Sequence, residues 1–205
     1  MEALMYRFKS IHRKTLEMVR GGVIGAVRYI DFNWCFNIRA LARSPIRLDP
    51  ALGGGALNDL GIYGVDFITL VTGAEARLLE AHVWNDPETG IDILTHATLQ
   101  AGDTLATMTC GFTTDANYYT VSGELGSIHV PGSVSGRMVE NTMYVHTLEG
   151  DRRTEERFAA ENPYRAELEH FAHCVQLRLQ PETGLGNSFR NVRLLEEIRS
   201  RGRPY

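Results

Sequence analysis

The sequence predicts a single α+β domain spanning residues 1–205. Its sheet is mainly antiparallel, of about six strands, with helices packed on one face and the other face open. Three observations point there. Helical periodicity occupies the beginning of the chain, the stretch before residue 73 and the last forty residues. Between residues 77 and 148 come short runs rich in β-branched and aromatic residues. Asp, Asn, Pro and Gly separate those runs, as turns require.

Taken in order, residues 9–20 read as a helix. Ile11, Leu16 and Val19 are apolar among basic residues, and Gly21-Gly22 ends the segment. Residues 27–36, VRYIDFNWCF, have strand composition with imperfect alternation, which suits a strand partly buried on both faces. Residues 37–52 read as a loop broken by Pro45 and Pro50. Three glycines then lead into a helix over 56–72, where Ala56, Leu60, Tyr63, Phe67 and Leu70 recur at helical spacing and Gly73 closes it. Strands are expected at 78–84, 91–100, 104–112, 118–123, 127–130 and 143–148. Two helices close the chain. Residues 164–179 carry Leu168, Phe171, Ala172 and Val175 on one face, and 187–201 carry Val192, Leu195 and Ile198.

Composition narrows the function. The 205 residues include 21 Lys plus Arg and 25 Asp plus Glu, a formal charge of −4. That balance argues against nucleic acid as a partner, since phosphate neutralisation needs clustered Lys and Arg. The three cysteines, Cys35, Cys110 and Cys174, are odd in number and widely separated, so neither a disulfide framework nor a structural zinc site is expected. No apolar run approaches the ~18 residues that span a bilayer. The N-terminus has no signal-peptide core. The expectation is a soluble, cytoplasmic protein with no membrane partner.

The chemistry concentrates in GGGALNDLGIYGVD at residues 53–66. Asp59 and Tyr63, four apart, share one helix face, and Asp66 follows at the next turn. A carboxylate and a phenol one turn apart can orient a substrate hydroxyl and move its proton. The phenol alone is a poor base, with a free pKa of about 10, and needs a nearby cation such as a lysine. The same spacing also fits a helix cap and a core tyrosine. Trp34 and Phe36 fit either a substrate pocket or packing, and Arg7 and Arg47 fit either ligand contact or solvated ion pairs. His170 and His173 with Cys174 make half a metal site without a complementary cluster, which helix packing explains equally, so no metal is expected.

The segment resembles the motif that opens the C-terminal domain of Gfo/Idh/MocA oxidoreductases, which include glucose–fructose oxidoreductase, inositol dehydrogenase, xylose dehydrogenase and dihydrodiol dehydrogenase. Other pieces resemble the same family in the same order: EALMYRF at 2–8, GVIGAVR at 22–28, IRLDP at 46–50 and YRAELEHF at 164–171. The resemblance implies that Asp59 is the active-site aspartate. It makes Tyr63 the acid/base in place of the histidine of many members, which points to the glucose–fructose oxidoreductase and dihydrodiol dehydrogenase branch. Arg7, Trp34 and Arg47 become candidate substrate contacts.

Members of this family carry a dinucleotide-binding domain with a G-x-G-x-x-G loop and a Glu-Lys-Pro motif. Neither occurs in this sequence. The 184–189 and 53–58 segments both lack the third glycine and follow no strand, and the only lysines are Lys9 and Lys14. The resemblance therefore implies the substrate-binding and dimerisation half of an oxidoreductase acting on a sugar, polyol or diol. NAD or NADP serves the complete enzyme, with no cofactor and no activity expected for this chain alone. A homo-oligomer through the open sheet face is expected. The alternative is a non-catalytic ligand-binding or protein-interaction module derived from that family.

Overall fold

The computed structural model describes residues 1–38, 45–132 and 134–204. A 3-10 turn at Met5–Phe8 leads into α1 (Ser10–Arg20) and then β1 (Val27–Cys35). The expected 37–52 loop holds a short helix, α2 (Pro45–Leu48), and a 3-10 turn at Pro50–Leu52, while residues 39–44 lie outside the described residues. The expected 56–72 helix divides into a π-helical turn, Leu57–Gly61, and α3 (Ile62–Thr72). Eight strands follow: β2 (Ala76–Asn85), β3 (Asp92–Ala101), β4 (Thr104–Gly111), β5 (Ala116–Gly123), β6 (Gly126–Pro131), β7 (Asn141–Thr147), β8 (Arg152–Phe158) and β9 (Arg203–Pro204). Two helices, α4 (Pro163–Leu177) and α5 (Leu185–Arg201), lie between β8 and β9.

All nine strands form one sheet in the order β8-β7-β6-β5-β1-β4-β3-β2-β9. Every pairing is antiparallel except β1 with β4 and β2 with β9. The expected count of about six is thus corrected to nine among the described residues. Every expected strand segment is present, and β8 and β9 are additional. β8, RRTEERF, is an edge strand exposed along nearly its whole length, so burial imposes no apolar alternation on it. β9 is two residues long and gives no pattern to read.

Alternation along the strands sets the layers. Ile30 and Phe32 of β1, Ala106 and Met108 of β4, Ala97 and Leu99 of β3, and Tyr119 and Val121 of β5 are buried on one face. α1, α3 and α5 cover that face. Phe67 of α3 sits at the centre, with ring centroids 5.6 Å from Phe32 and 4.3 Å from Tyr119. Truncating a ring buried this completely costs about 3–5 kcal/mol. Gly64 explains how closely α3 approaches the sheet: a Cβ there would lie 2.6 Å from the Met108 side chain and 2.9 Å from Phe32. The opposite face carries a polar lattice, including Tyr29 to Thr107 (2.8 Å), Thr107 to Asp31 (2.9 Å) and Thr120 to His129 (2.9 Å).

The last helices differ from their expected packing. α5 buries Leu194, Leu195 and Ile198 against α3 and β2, but Val192 is exposed. α4 packs chiefly on the Met5–Phe8 turn. Its buried residues are Pro163, Glu167 and Cys174, whereas the expected apolar stripe points outward, with Leu168 66%, Phe171 45% and Val175 61% exposed.

Candidate active site around Tyr63

The three glycines before α3 build the site's backbone. The Gly54 amide donates to the Asp49 carbonyl and the Gly55 amide to the Arg47 carbonyl, both at 2.9 Å. This folds the 47–52 segment back over the start of the π-helical turn. Gly55 has φ +113, and a Cβ there would lie 2.2 Å from Asp92 Oδ1, so a side chain is excluded twice over. Asp92 Oδ2 accepts the Leu57 amide at 2.5 Å. Burial pushes the Asp92 carboxyl up to about 6, against the opposing pull of that amide. The helix start therefore already holds an internal anion.

The π-helical turn carries Asp59, and Tyr63 follows within the first turn of α3. Such local widening of a helix recurs at functional sites. Arg47 Nε donates to Asp59 Oδ2 at 2.6 Å, in a partly exposed ion pair, and its guanidinium lies 6.0 Å from the Phe36 ring centroid. The Tyr63 ring is held edge-on by Trp34 (4.5 Å, 75°) and by Tyr6 (5.8 Å, 62°). Its hydroxyl donates weakly to Met5 Sδ at 3.4 Å. The structure thus brings together four of the five sequence-predicted residues: Tyr63, Asp59, Trp34 and Arg47.

Arg7 is placed apart from them. Its side chain is 5% exposed, and it forms a bidentate pair with the fully buried Asp66 through Nε (2.7 Å) and Nη2 (2.5 Å). Tyr6 Oη (2.5 Å) and Asn191 Nδ2 (3.0 Å) donate to the same carboxylate. Four donors thereby tie the N-terminal turn and α5 to α3, one helical turn beyond Tyr63. Asp66 was legible in the sequence only as the next carboxylate along the helix.

Electrostatics keep the Tyr63 phenol protonated. Its pKa is pushed well up, first by burial, and then by Tyr164, Asp59, Glu167 and Glu2, each of which ionises to an anion. Lys9 lies elsewhere. Burial lowers its ammonium's pKa, and it donates toward the Ser135 carbonyl at 3.4 Å. As it stands the phenol is a proton donor, and it becomes a base only when a cation is brought close. Sequence reasoning missed Met5, Tyr164, Glu2 and Glu167. The available signal for Glu167 was its place on one helix face with Pro163 and Cys174, four and seven residues away, where a carboxylate is out of keeping with burial.

The described residues do not fit a dinucleotide's pyrophosphate. The glycine-rich helix start would be the natural phosphate cradle, but its Leu57 amide is taken by Asp92 and its Gly54 and Gly55 amides by the Asp49 and Arg47 carbonyls. Among the described residues no cluster of three or more His, Cys, Asp or Glu is placed to hold a metal ion. His170 Nε2 accepts the Glu182 amide at 3.2 Å and touches Cys174 Sγ at 3.5 Å. No helix among them is long and apolar enough to cross a membrane.

Comparison with known proteins gives a consistent result. The family model described as GFO/IDH/MocA C-terminal domain matches residues 12–129. The chain is 28% identical over 200 residues to D-xylose 1-dehydrogenase (NADP(+)) 2 of Haloferax volcanii, covering 97% of this chain and 60% of that protein. It is 30% identical over 132 residues to trans-1,2-dihydrobenzene-1,2-diol dehydrogenase of Sus scrofa, covering 63% of this chain and 38% of that one. Its fold superposes on KijD10, a 3-ketoreductase from Actinomadura kijaniata solved with NADP and TDP-benzene, with a TM-score of 0.88 at 21% identity. That match covers 100% of this chain and 62% of KijD10. The chain thus spans about 60% of the length of the first of these relatives.

Proposed function

We propose, from the premise that this chain belongs to the Gfo/Idh/MocA oxidoreductase family through its C-terminal domain, that it is the substrate-binding half of an NAD(P)-dependent oxidoreductase acting on a sugar, polyol or diol. The observation that carries this reading is Tyr63, a phenol clamped between Trp34 and Tyr6, one turn from Asp59, and kept in its proton-donating form. In the direction of carbonyl reduction, Tyr63 delivers its proton to the developing alkoxide. In the direction of alcohol oxidation, a cation supplied by the nucleotide-binding half lowers its pKa so that it accepts one. Asp59, held by Arg47, orients the hydroxyl.

The dinucleotide belongs to residues outside 1–205, and no hydride step is assigned to the side chains described here. The exposed stripe Leu168, Phe171 and Val175 supports this division, because it lies on the helix that also carries Tyr164 and Glu167. An apolar surface in that position suits a second domain closing over the site. The open sheet face is the proposed contact between copies of the chain.

The test joins the chain to a nucleotide-binding domain of the family and measures NADP-linked oxidation of D-xylose and related polyols. Tyr63→Phe is expected to lower kcat by the ~10²–10⁴-fold typical of a lost acid/base. Turnover within a few-fold of wild type would refute the role.

A further inference from the structure

Two carboxylates near Tyr63 are unusual. Glu167 is 5% exposed, and its Oε1 is buried with no hydrogen-bond partner. Glu2 Oε2 is likewise buried and unpartnered. They come from opposite ends of the chain. α4 brings Glu167 onto the Met5–Phe8 turn, and Glu2 precedes that turn, anchored by its amide to the Thr183 carbonyl at 2.9 Å and by its carbonyl accepting Thr183 Oγ1 at 2.7 Å. Met5, on the same turn, touches the Tyr63 hydroxyl. A buried acceptor without a donor costs about 1–3 kcal/mol, and more when charged. Two such carboxyl groups, both felt by the Tyr63 phenol, are hard to account for as fold stabilisers.

Arg47 is paired with Asp59 and Arg7 with Asp66. Three carboxyl groups act on the Tyr63 phenol: Asp59 of the π-helical turn, Glu167 of α4, and Glu2 ahead of the N-terminal turn. We propose that Glu2 and Glu167 form a paired hydroxyl acceptor beside Tyr63 that admits uncharged polyhydroxylated ligands and turns anionic ones away. The inference rests on the preceding reading and narrows its substrate class. A sugar or polyol brings hydroxyl donors, which satisfy both orphaned oxygens through charge-assisted hydrogen bonds. An aldonate, sugar phosphate or nucleotide sugar brings a negative charge toward two carboxylates, and repulsion excludes it. Glu167 is the specificity-determining member, since it is the more deeply buried and lies on a helix.

The experiment is a protein-observed NMR titration of the full 205-residue chain with D-xylose, D-xylonate and methylammonium chloride, repeated on Glu167→Gln and Glu2→Gln. Thermal melts establish that each variant is folded. Wild type is expected to shift resonances with D-xylose at millimolar concentration and to ignore D-xylonate. Glu167→Gln is expected to weaken xylose binding about ten-fold, as loss of a hydrogen bond to a charged group implies, and to admit xylonate. Should that variant not fold, Glu2→Gln carries the same expectation.

Equal xylose affinity in wild type and a folded variant overturns the proposal, as does xylonate binding as well as xylose. A response to methylammonium with none to xylose also overturns it, by assigning the pair to a cationic side chain, and so does no response to xylose at all. Each of these leaves the proton-transfer role to the separate turnover test on Tyr63, so the two failures are distinguishable.

Discussion

Asp66→Asn removes one charge and no volume from the carboxylate that ties the N-terminal turn and α5 to α3. The carboxylate it replaces is fully buried and accepts from Tyr6, Asn191 and both ends of the Arg7 fork. Losing it leaves the Arg7 guanidinium, 5% exposed, without a counter-charge. Breaking a buried pair in this way costs about 3–5 kcal/mol, because the surviving ion keeps its desolvation penalty. The Asn191 amide can still donate to the new carboxamide oxygen, so the penalties for the neutral donors do not simply add. We expect a loss of about 4 kcal/mol from a domain whose total stability is of order 5–15 kcal/mol. With a urea m-value near the top of the usual range, about 3 kcal/mol/M, the midpoint of an equilibrium urea titration followed by tryptophan fluorescence falls by roughly 1.3 M. The double variant Arg7→Met with Asp66→Leu has no orphaned charge and should recover at least half of that loss. A shift below ~0.3 M for Asp66→Asn, or a double variant no more stable than the single one, would refute the claim that this ion pair clamps the N-terminal turn to α3.

Asp92 supplies a pH signature. Its carboxyl is raised in the fold to about 6 from 3.8, so between pH 4 and 6 the unfolded chain ionises while the folded one resists. Stability contributed by Asp92 is present below pH 4 and lost as pH rises through 6, by about 2–3 kcal/mol. Asp92→Asn abolishes that part of the profile, and parallel melting-temperature curves for the two proteins between pH 4 and 6.5 would contradict it. Isothermal calorimetry of the chain with millimolar NAD or NADP should show no binding, since the glycine-rich helix start is already filled by Asp92; a micromolar isotherm would overturn that account. Light scattering at micromolar concentration should return twice the chain mass if the open sheet face joins two copies, and a mass of one chain would count against it.

The legible parts of the sequence were those where one face is buried. β1 to β7 sit in the body of the sheet and carry the apolar alternation that burial selects. β8 has water on both sides and carries no such mark. The stripe on α4 was correctly read as apolar, but a helical period records that a face is apolar and not what covers it. Leu168 and Phe171 face outward, and the side turned to the protein carries Glu167. Tyr63 and Asp59 were readable because they lie close together in sequence on one element. Glu2 and Glu167 are 165 positions apart, and each comes to act on Tyr63 only through tertiary packing. Arg7 was readable as an interesting cation, but its partner lies 59 residues away, so the choice between ligand contact and internal ion pair was not available from spacing.

The two margins of the sheet are finished in opposite ways. At one end β8 places Arg152, Arg153, Glu155, Glu156 and Arg157 along seven residues, so a further strand arriving there meets a picket of long charged side chains. At the other end β9 is two residues long and includes Pro204, which has no amide hydrogen to offer a newcomer. A nine-stranded ribbon with exposed hydrogen-bonding margins would tend to polymerise by sideways growth. The charged margin at β8 discourages sideways growth there, and β9 caps β2 at His82 and Val83; copies that associate by stacking surface on surface end at a defined number of chains instead of running on as a fibre.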